Sequence, residues 1–311
     1  MSDNPGEKLR FGLFGAGPWA EHTHAPALAA HAGVDFAGVW ARRPEAAAAL
    51  AAAHGTAAYS GDDGARELLA ACDAAAFALP PDIQARFAVL AAEAGCHLLL
   101  DKPVATSVAE ARAAADAAAR ASVSSVVLCT LRFSGLTAPW IREQAALGGW
   151  FTAHAQWLGS LYAPDSRSRY AASPWRRDKG GLWDVGPHVL SVLLPILGEV
   201  TGLTAARGPR DTAHLVLRHD SGASSTVTVG LGAPAKGAGA SIQLVGDQGR
   251  ATIPEWSDPV SSYGAAIGEL RSAIATGRPH ECDVRFGLRL TELLAEAERQ
   301  LGRERGDAPF A

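Results

Sequence analysis

Short unbroken apolar runs alternate with longer Ala-rich stretches through the first part of the chain. Leu9 to Gly15, Val34 to Trp40, Ala74 to Leu79, His97 to Leu100 and Ser125 to Leu131 read as strands. Pro18 to Ala32, Pro44 to His54, Asp82 to Ala94 and Ser107 to Ala121 read as the helices between them. Pro44 stands where a first helical turn tolerates a residue without an N–H, and Gly95 where a helix stops. Alanine suits these helices because it loses no side-chain entropy in them. Strands that are apolar at every position are covered on both faces. The pattern therefore predicts an α/β domain with a doubly wound parallel sheet.

The rhythm changes after about residue 133. Trp150 to Leu161 reads as a long strand with partial alternation. Thr212 to Arg218 and Ser224 to Leu231 flank a turn at Asp220-Ser221-Gly222. Ser241 to Val245 and Arg250 to Ile253 flank another at Gly246-Asp247-Gln248-Gly249. Both are hairpin signals. Helices are expected over Val185 to Leu197, Ser262 to Thr276 and Val284 to Leu301. This half is expected to be an α+β domain with a largely antiparallel open sheet. The expected domains are 1–133 and 134–311. Tyr162 to Gly181 reads as a polar, basic loop, and loops of that length usually carry function.

Composition narrows the function classes. A 48% apolar and 19% charged chain of 311 residues can bury a substantial core. A formal net charge of −4, with acids and bases interspersed, argues against general nucleic-acid binding. The first ten residues are polar, and no apolar run reaches the ~20 residues a bilayer requires, so the expectation is a cytoplasmic protein. Cys72, Cys96, Cys129 and Cys282 lie far apart in apolar stretches and read as buried thiols. The histidines lack metal-ligand spacing, so no metal is expected.

Gly15-Ala16-Gly17-Pro18-Trp19-Ala20 follows the first strand and opens the first helix. It has the G-x-G-x-x-G/A form of a Rossmann dinucleotide site: a glycine for the tight turn, one for approach of a pyrophosphate, and a small residue for helix–strand packing. The helix N-terminus offers unpaired N–H groups to the phosphates. An NAD site usually has an acid at the end of the second strand. Here Ala41-Arg42-Arg43 stands there. Two guanidinium groups suit a 2′-phosphate, so NADP is expected over NAD. Leu79 and Pro80 after the next strand, and Asp101 and Lys102 after the one beyond, complete the expected cofactor set.

The chain resembles the Gfo/Idh/MocA family of oxidoreductases (glucose-fructose oxidoreductase, inositol dehydrogenase and relatives) over nearly its whole length. The glycine motif with His24-Ala25-Pro26 is similar to the family's opening. Asp101-Lys102-Pro103 resembles its E-K-P, and Trp175-Arg176 with Gly180-Gly181-Leu182-Trp183-Asp184-Val185-Gly186-Pro187-His188 its W-R…G-G-x-x-x-D-x-G-x-H. The resemblance implies hydride transfer between a nicotinamide and a sugar, cyclic polyol or related carbonyl, in a homo-oligomer. It implies a catalytic set of Lys102, Asp184 and His188, with His188 as acid/base and Asp184 as its orienter. Asp184 and His188 are four apart, and on a helical turn they share a face. The Lys102–Pro103 bond can take the cis form that such turns use. Arg132, Tyr162, Trp175 and Arg176, with Lys102 and His188, are the candidate substrate contacts; Arg169, Arg177 and Lys179 lie in or beside the same loop. Three positions depart from the family pattern: Asp101 for its glutamate, Ser191 for an acid after the histidine, and Gln84 for a histidine after the fourth strand. Two other readings stay open: reduction of a non-sugar carbonyl or imine, and a sensor that binds NADP without turnover.

Overall fold

The computed structural model describes residues 8–256 and 258–303. These fall into two compact units, one of 8–134 and 258–289, the other of 135–256 and 290–303. The first crossing lies beside the expected boundary at 133/134. The return of 258–289 to the first unit is outside that expectation.

The first unit carries β1 (Leu9–Phe14), α1 (Ala25–Ala30), β2 (Val34–Trp40), α2 (Pro44–His54), β3 (Ala57–Tyr59), α3 (Gly61–Ala71), β4 (Ala74–Phe77), α4 (Pro81–Glu93), β5 (His97–Asp101), α5 (Val108–Ala121) and β6 (Ser125–Leu128). The strands pair in parallel in the order β3-β2-β1-β4-β5-β6, the Rossmann order. Phe11, Leu13, Phe14, Ala74 to Phe77 and Leu98 to Leu100 are all buried, as strands covered on both faces must be. Ser107 caps α5, its Oγ accepting from the Glu110 N–H. The unit also holds β3 and α3, where the sequence pattern predicts nothing. β3 is three residues long, with two exposed alanines, and leaves no periodic signal.

The second unit carries α6 (Thr137–Leu147), β7 (Trp150–Leu158), α7 (Pro174–Asp184), α8 (Gly186–Leu197), β8 (Val200–Arg207), β9 (Ala213–His219), β10 (Ser224–Gly230), β11 (Gly239–Gly246) and β12 (Gly249–Thr252). Its sheet runs β12-β11-β7-β10-β9-β8, and every pair is antiparallel except β7 with β10. Inward and outward positions alternate strictly along β9, the signature of a sheet with one open face. Both expected hairpins form, β9 with β10 and β11 with β12. The expected loop from Tyr162 to Gly181 is a correction: Arg169–Ala172 is a short 3-10 helix, and α7 begins at Pro174. Polar residues and two glycines mask the helical period there. Residues 174–197 match a membrane span in length and hydropathy, but 89% of that window is buried inside the protein.

Two helices close the described chain: α9 (Pro259–Thr276), in the first unit, and α10 (Val284–Arg303), within which the division between units falls.

The helix expected over Pro18 to Ala32 runs over residues 18–30 and contains a π-helical turn, Ala20–His24, before α1. This turn places His24 wholly inside the first unit, with its ring 4.3 Å from that of Tyr263 on α9. Neither imidazole nitrogen has a hydrogen-bond partner among the described residues. Burial pushes the His24 pKa down from 6.5 to about 3. The folded protein therefore keeps His24 neutral where the unfolded chain protonates it. Its contribution to stability is complete above pH 6.5 and is lost at about 1.4 kcal/mol per pH unit as pH falls toward 3. Thermal melting between pH 7 and 5 is expected to be less steep in pH for His24→Leu than for the parent. Parallel curves would contradict this.

Candidate active site

The expected cofactor residues gather at the carboxyl ends of neighbouring parallel strands. β1 ends against Trp40 of β2 and Phe77 of β4. The Gly15 N–H donates to the Trp40 carbonyl at 2.8 Å, and the Ala78 N–H to the Phe14 carbonyl at 2.8 Å. Gly15 has φ of 123°, and a Cβ there would lie 2.3 Å from the Ala78 oxygen, so only glycine fits. A Cβ on Gly17 would meet nothing within 4 Å. That open space above the start of the helix is the cradle a pyrophosphate needs, so the residues present fit a dinucleotide. Pro18 and Trp19 are half-buried and Ala20 is buried. Ala41 is buried, whereas Arg42 and Arg43 are exposed where β2 turns into α2. Leu79 is half-buried and Pro80 exposed at the end of β4.

Lys102 stands at the end of β5, half-buried. Its N–H donates to the Asp101 carboxylate at 2.8 Å, and the Lys102–Pro103 bond is cis. Gln84 on α4 clamps this segment. Its amide nitrogen donates to the carbonyls of Asp101 (2.8 Å), Pro103 (3.2 Å) and Val104 (3.2 Å). Its amide oxygen accepts from the Asp101 N–H at 2.9 Å. One of the three residues that depart from the family pattern thus holds the backbone on both sides of the lysine. Arg132 follows β6, its guanidinium 2.9 Å from Glu281 and 5.7 Å from the centre of the Phe286 ring.

In the second unit, Asp184 ends α7 and His188 lies in the first turn of α8, with Val185 between the helices. Val185 itself lies in the right-handed helical region, its N–H donating to the Gly181 carbonyl at 3.0 Å and its carbonyl accepting from the Val189 N–H at 3.4 Å, so the backbone winds on helically from Asp184 to His188. Asp184 forms an ion pair with Arg176 at 3.1 Å. The Arg176 guanidinium also lies 4.5 Å from the centre of the Trp175 ring and 5.4 Å from that of Tyr170. Burial, and then the Asp184 charge, push the Tyr162 hydroxyl pKa up. Lys179 is committed elsewhere, to Glu298 at 2.9 Å.

The His188 imidazole is buried and stacks on the indole of Trp157, with ring centres 4.9 Å apart and planes 21° apart. Trp157 in turn meets Trp256, centres 5.0 Å apart. Sequence reasoning missed both tryptophans. Trp157 sits in a strand whose alternation is partial, and Trp256 lies outside any helix or strand. It also missed Asp211, whose carboxylate accepts from the N–H groups of Gly181 (3.0 Å), Leu231 (2.7 Å) and Gly232 (2.8 Å) and so ties α7 to the end of β10. No spacing marks a single aspartate in a turn.

Two family models match this chain. One, an oxidoreductase family with an NAD-binding Rossmann fold, covers residues 9–128; the other, the Gfo/Idh/MocA C-terminal domain, covers 136–252. The chain belongs to the Gfo/Idh/MocA oxidoreductase family. Among curated proteins, D-glucoside 3-dehydrogenase of Escherichia coli (strain K12) is 28% identical over 207 residues, 64% of this chain and 56% of that protein. The match thus spans little more than half that relative's length. Among solved structures, UDP-N-acetylglucosamine 3-dehydrogenase from Acidithiobacillus ferrooxidans has a TM-score of 0.79 at 20% identity, over 95% of this chain and 98% of that one. A levoglucosan dehydrogenase in complex with NADH and levoglucosan has a TM-score of 0.79 at 19% identity, over 96% and 98%. At these identities the solved structures establish a shared fold. The Gfo/Idh/MocA fold explains why a Rossmann sheet is followed by a largely antiparallel one.

Proposed function

We propose that the chain is an NADP-dependent dehydrogenase that oxidises a hydroxyl of a sugar or cyclic polyol, or reduces the matching ketone. One observation carries the reading: His188 is held by a stacked indole at the start of α8, in a chain whose first unit has an open glycine cradle at the end of β1. The activities of the glucoside, levoglucosan and UDP-N-acetylglucosamine relatives support a sugar hydroxyl as the reacting group. A bound nicotinamide supplies the hydride acceptor.

The remaining work falls to the chain's own residues. His188 accepts the hydroxyl proton as general base and returns it in the reverse direction. Lys102 is the second member of the proposed catalytic set, a contact for substrate and proton. Asp184, paired with Arg176, fixes the charge near the imidazole. Arg132, Tyr162, Trp175 and Arg176 form the outer substrate contacts. Gly15, Gly17, Pro18, Trp19, Ala20, Leu79, Pro80 and Asp101 frame the dinucleotide, and Ala41, Arg42 and Arg43 receive its 2′-phosphate. The same reading makes the protein a cytoplasmic homo-oligomer, a dimer or tetramer, joined through the open sheet face on which Val216 is 52% exposed.

Absorbance at 340 nm across a panel of sugars and cyclic polyols tests the activity. At least one is expected to reduce NADP⁺. A protein that binds the dinucleotide and oxidises none of them is a sensor instead. Arg42→Ala with Arg43→Ala is expected to raise the KM for NADPH by about tenfold or more and leave that for NADH nearly unchanged. Equal effects on both cofactors would defeat the NADP preference.

A further inference from the structure

Four polar side-chain atoms lie buried in the first unit with no hydrogen-bond partner among the described residues: Thr23 Oγ1, both imidazole nitrogens of His24 and the Tyr263 hydroxyl. The His24 and Tyr263 rings overlap, their planes 32° apart. Ring nitrogens and phenols bond in the plane of their rings, so two overlapping rings cannot satisfy one another. Neutral His24 offers one donor and one acceptor, and the phenol offers a donor. Left unmet, each such group costs stability. His24 is 0% and Tyr263 1% exposed, so neither substrate nor cofactor reaches these atoms. The polar guest of such a site is water, which when buried usually makes about three hydrogen bonds to groups of this kind.

The surroundings point to its other partner. α9, which carries Tyr263, packs against both the π-helical turn of His24 and β5, and β5 ends at Asp101. Burial, and then the Asp101 charge, push the Tyr263 hydroxyl pKa up, so the phenol keeps its proton and remains a donor. The Asp101 carboxylate accepts the Lys102 N–H, and a carboxylate takes several donors at once. On the opposite side of the pair, the Trp19 ring of the glycine motif meets His24 edge-on, centres 6.0 Å apart.

We propose that Tyr263, beside His24, holds a buried water against the Asp101 carboxylate, and that Tyr263 is thereby a positioning residue for Lys102. The water accepts from the phenol and donates to the carboxylate, so α9 fixes the group that fixes the lysine's backbone. The proposal rests on Lys102 serving the reaction proposed above.

A crystal structure of the NADPH-loaded enzyme is expected to show one ordered water within about 3.2 Å of both the Tyr263 hydroxyl and an Asp101 carboxylate oxygen, and that of Tyr263→Phe to lack it. Tyr263→Phe keeps the ring and removes the hydroxyl alone. It is expected to lower kcat about 10-fold, with the sugar KM and the NADPH Kd within about twofold of the parent. Asp101→Asn keeps an oxygen for the Lys102 N–H. Added to it, Tyr263→Phe is expected to cost no further kcat, because the hydroxyl acts only through that carboxylate. Deleting a hydroxyl with no partner would leave Tm unchanged or higher, whereas deleting one end of a water bridge is expected to lower it by about 2–4 °C. No water between the two groups, parental kcat in Tyr263→Phe, or multiplicative losses in the double variant would each overturn the proposal. If Tyr263→Phe loses its fold, the parental crystal structure decides. Failure to oxidise any sugar would defeat the proposed function alone; the water and the Tm shift then decide this proposal.

Discussion

Lys102→Met is expected to lower kcat by about 10³-fold or more and to leave NADPH affinity, followed by fluorescence titration, nearly unchanged. Methionine keeps an unbranched apolar stem and removes only the ammonium. The backbone at this position does not depend on that ammonium: the Lys102 N–H is held by Asp101, and the flanking carbonyls by Gln84. Loss of turnover would therefore report the missing charge and proton rather than a displaced loop. Lys102→Arg refines the test, since guanidinium keeps the charge but does not give up its proton near neutral pH. An arginine variant that recovers substrate KM but not kcat would assign Lys102 a part in proton transfer. Full activity in Lys102→Met would remove Lys102 from the chemistry.

The second large effect falls on Gln84. Its side chain is buried, and its four hydrogen bonds all go to the backbone of the Asp101–Val104 segment. Gln84→Leu keeps the volume and leaves the Asp101 N–H and the nearby carbonyls without that partner. Each buried group so orphaned costs ~1–3 kcal/mol. A loss of at least ~3 kcal/mol is expected by denaturant titration, with Tm falling about 2–4 °C per kcal/mol. Because the clamp fixes where Lys102 leaves the sheet, kcat should fall as well, even at temperatures where the variant is folded. Gln84→Glu retains an acceptor for Asp101 and loses the amide donor, so it should lie between the two. A Gln84→Leu protein of parental stability and kcat would show that the segment holds itself.

The expected loop around Arg176 shows where reading by pattern stops. Its polar composition predicted exposure and irregularity, yet Pro174–Asp184 is helical but for a kink at Gly180, with Asp211 accepting the N–H of Gly181 from thirty residues away. Asp184 and His188 were likewise placed on one helical face by their spacing alone. Val185 between them is helical in backbone, and what the spacing did not show is that Arg176 pairs with Asp184.

What the sequence determined by itself was everything local in period. Unbroken apolar runs specified strands covered on both faces, the turn at Asp220-Ser221-Gly222 specified the hairpin of β9 with β10, and Gly15 marked a turn that no other residue can make. These signals survive in one dimension because burial on both faces, a hairpin turn and a positive φ each constrain a residue through its immediate neighbours. Tertiary structure alone decided which distant side chains meet. It brought Gln84 to the backbone around Lys102, Tyr263 to His24, and two tryptophans to His188. Such contacts are set by how helices and strands pack, and packing leaves no period in the sequence.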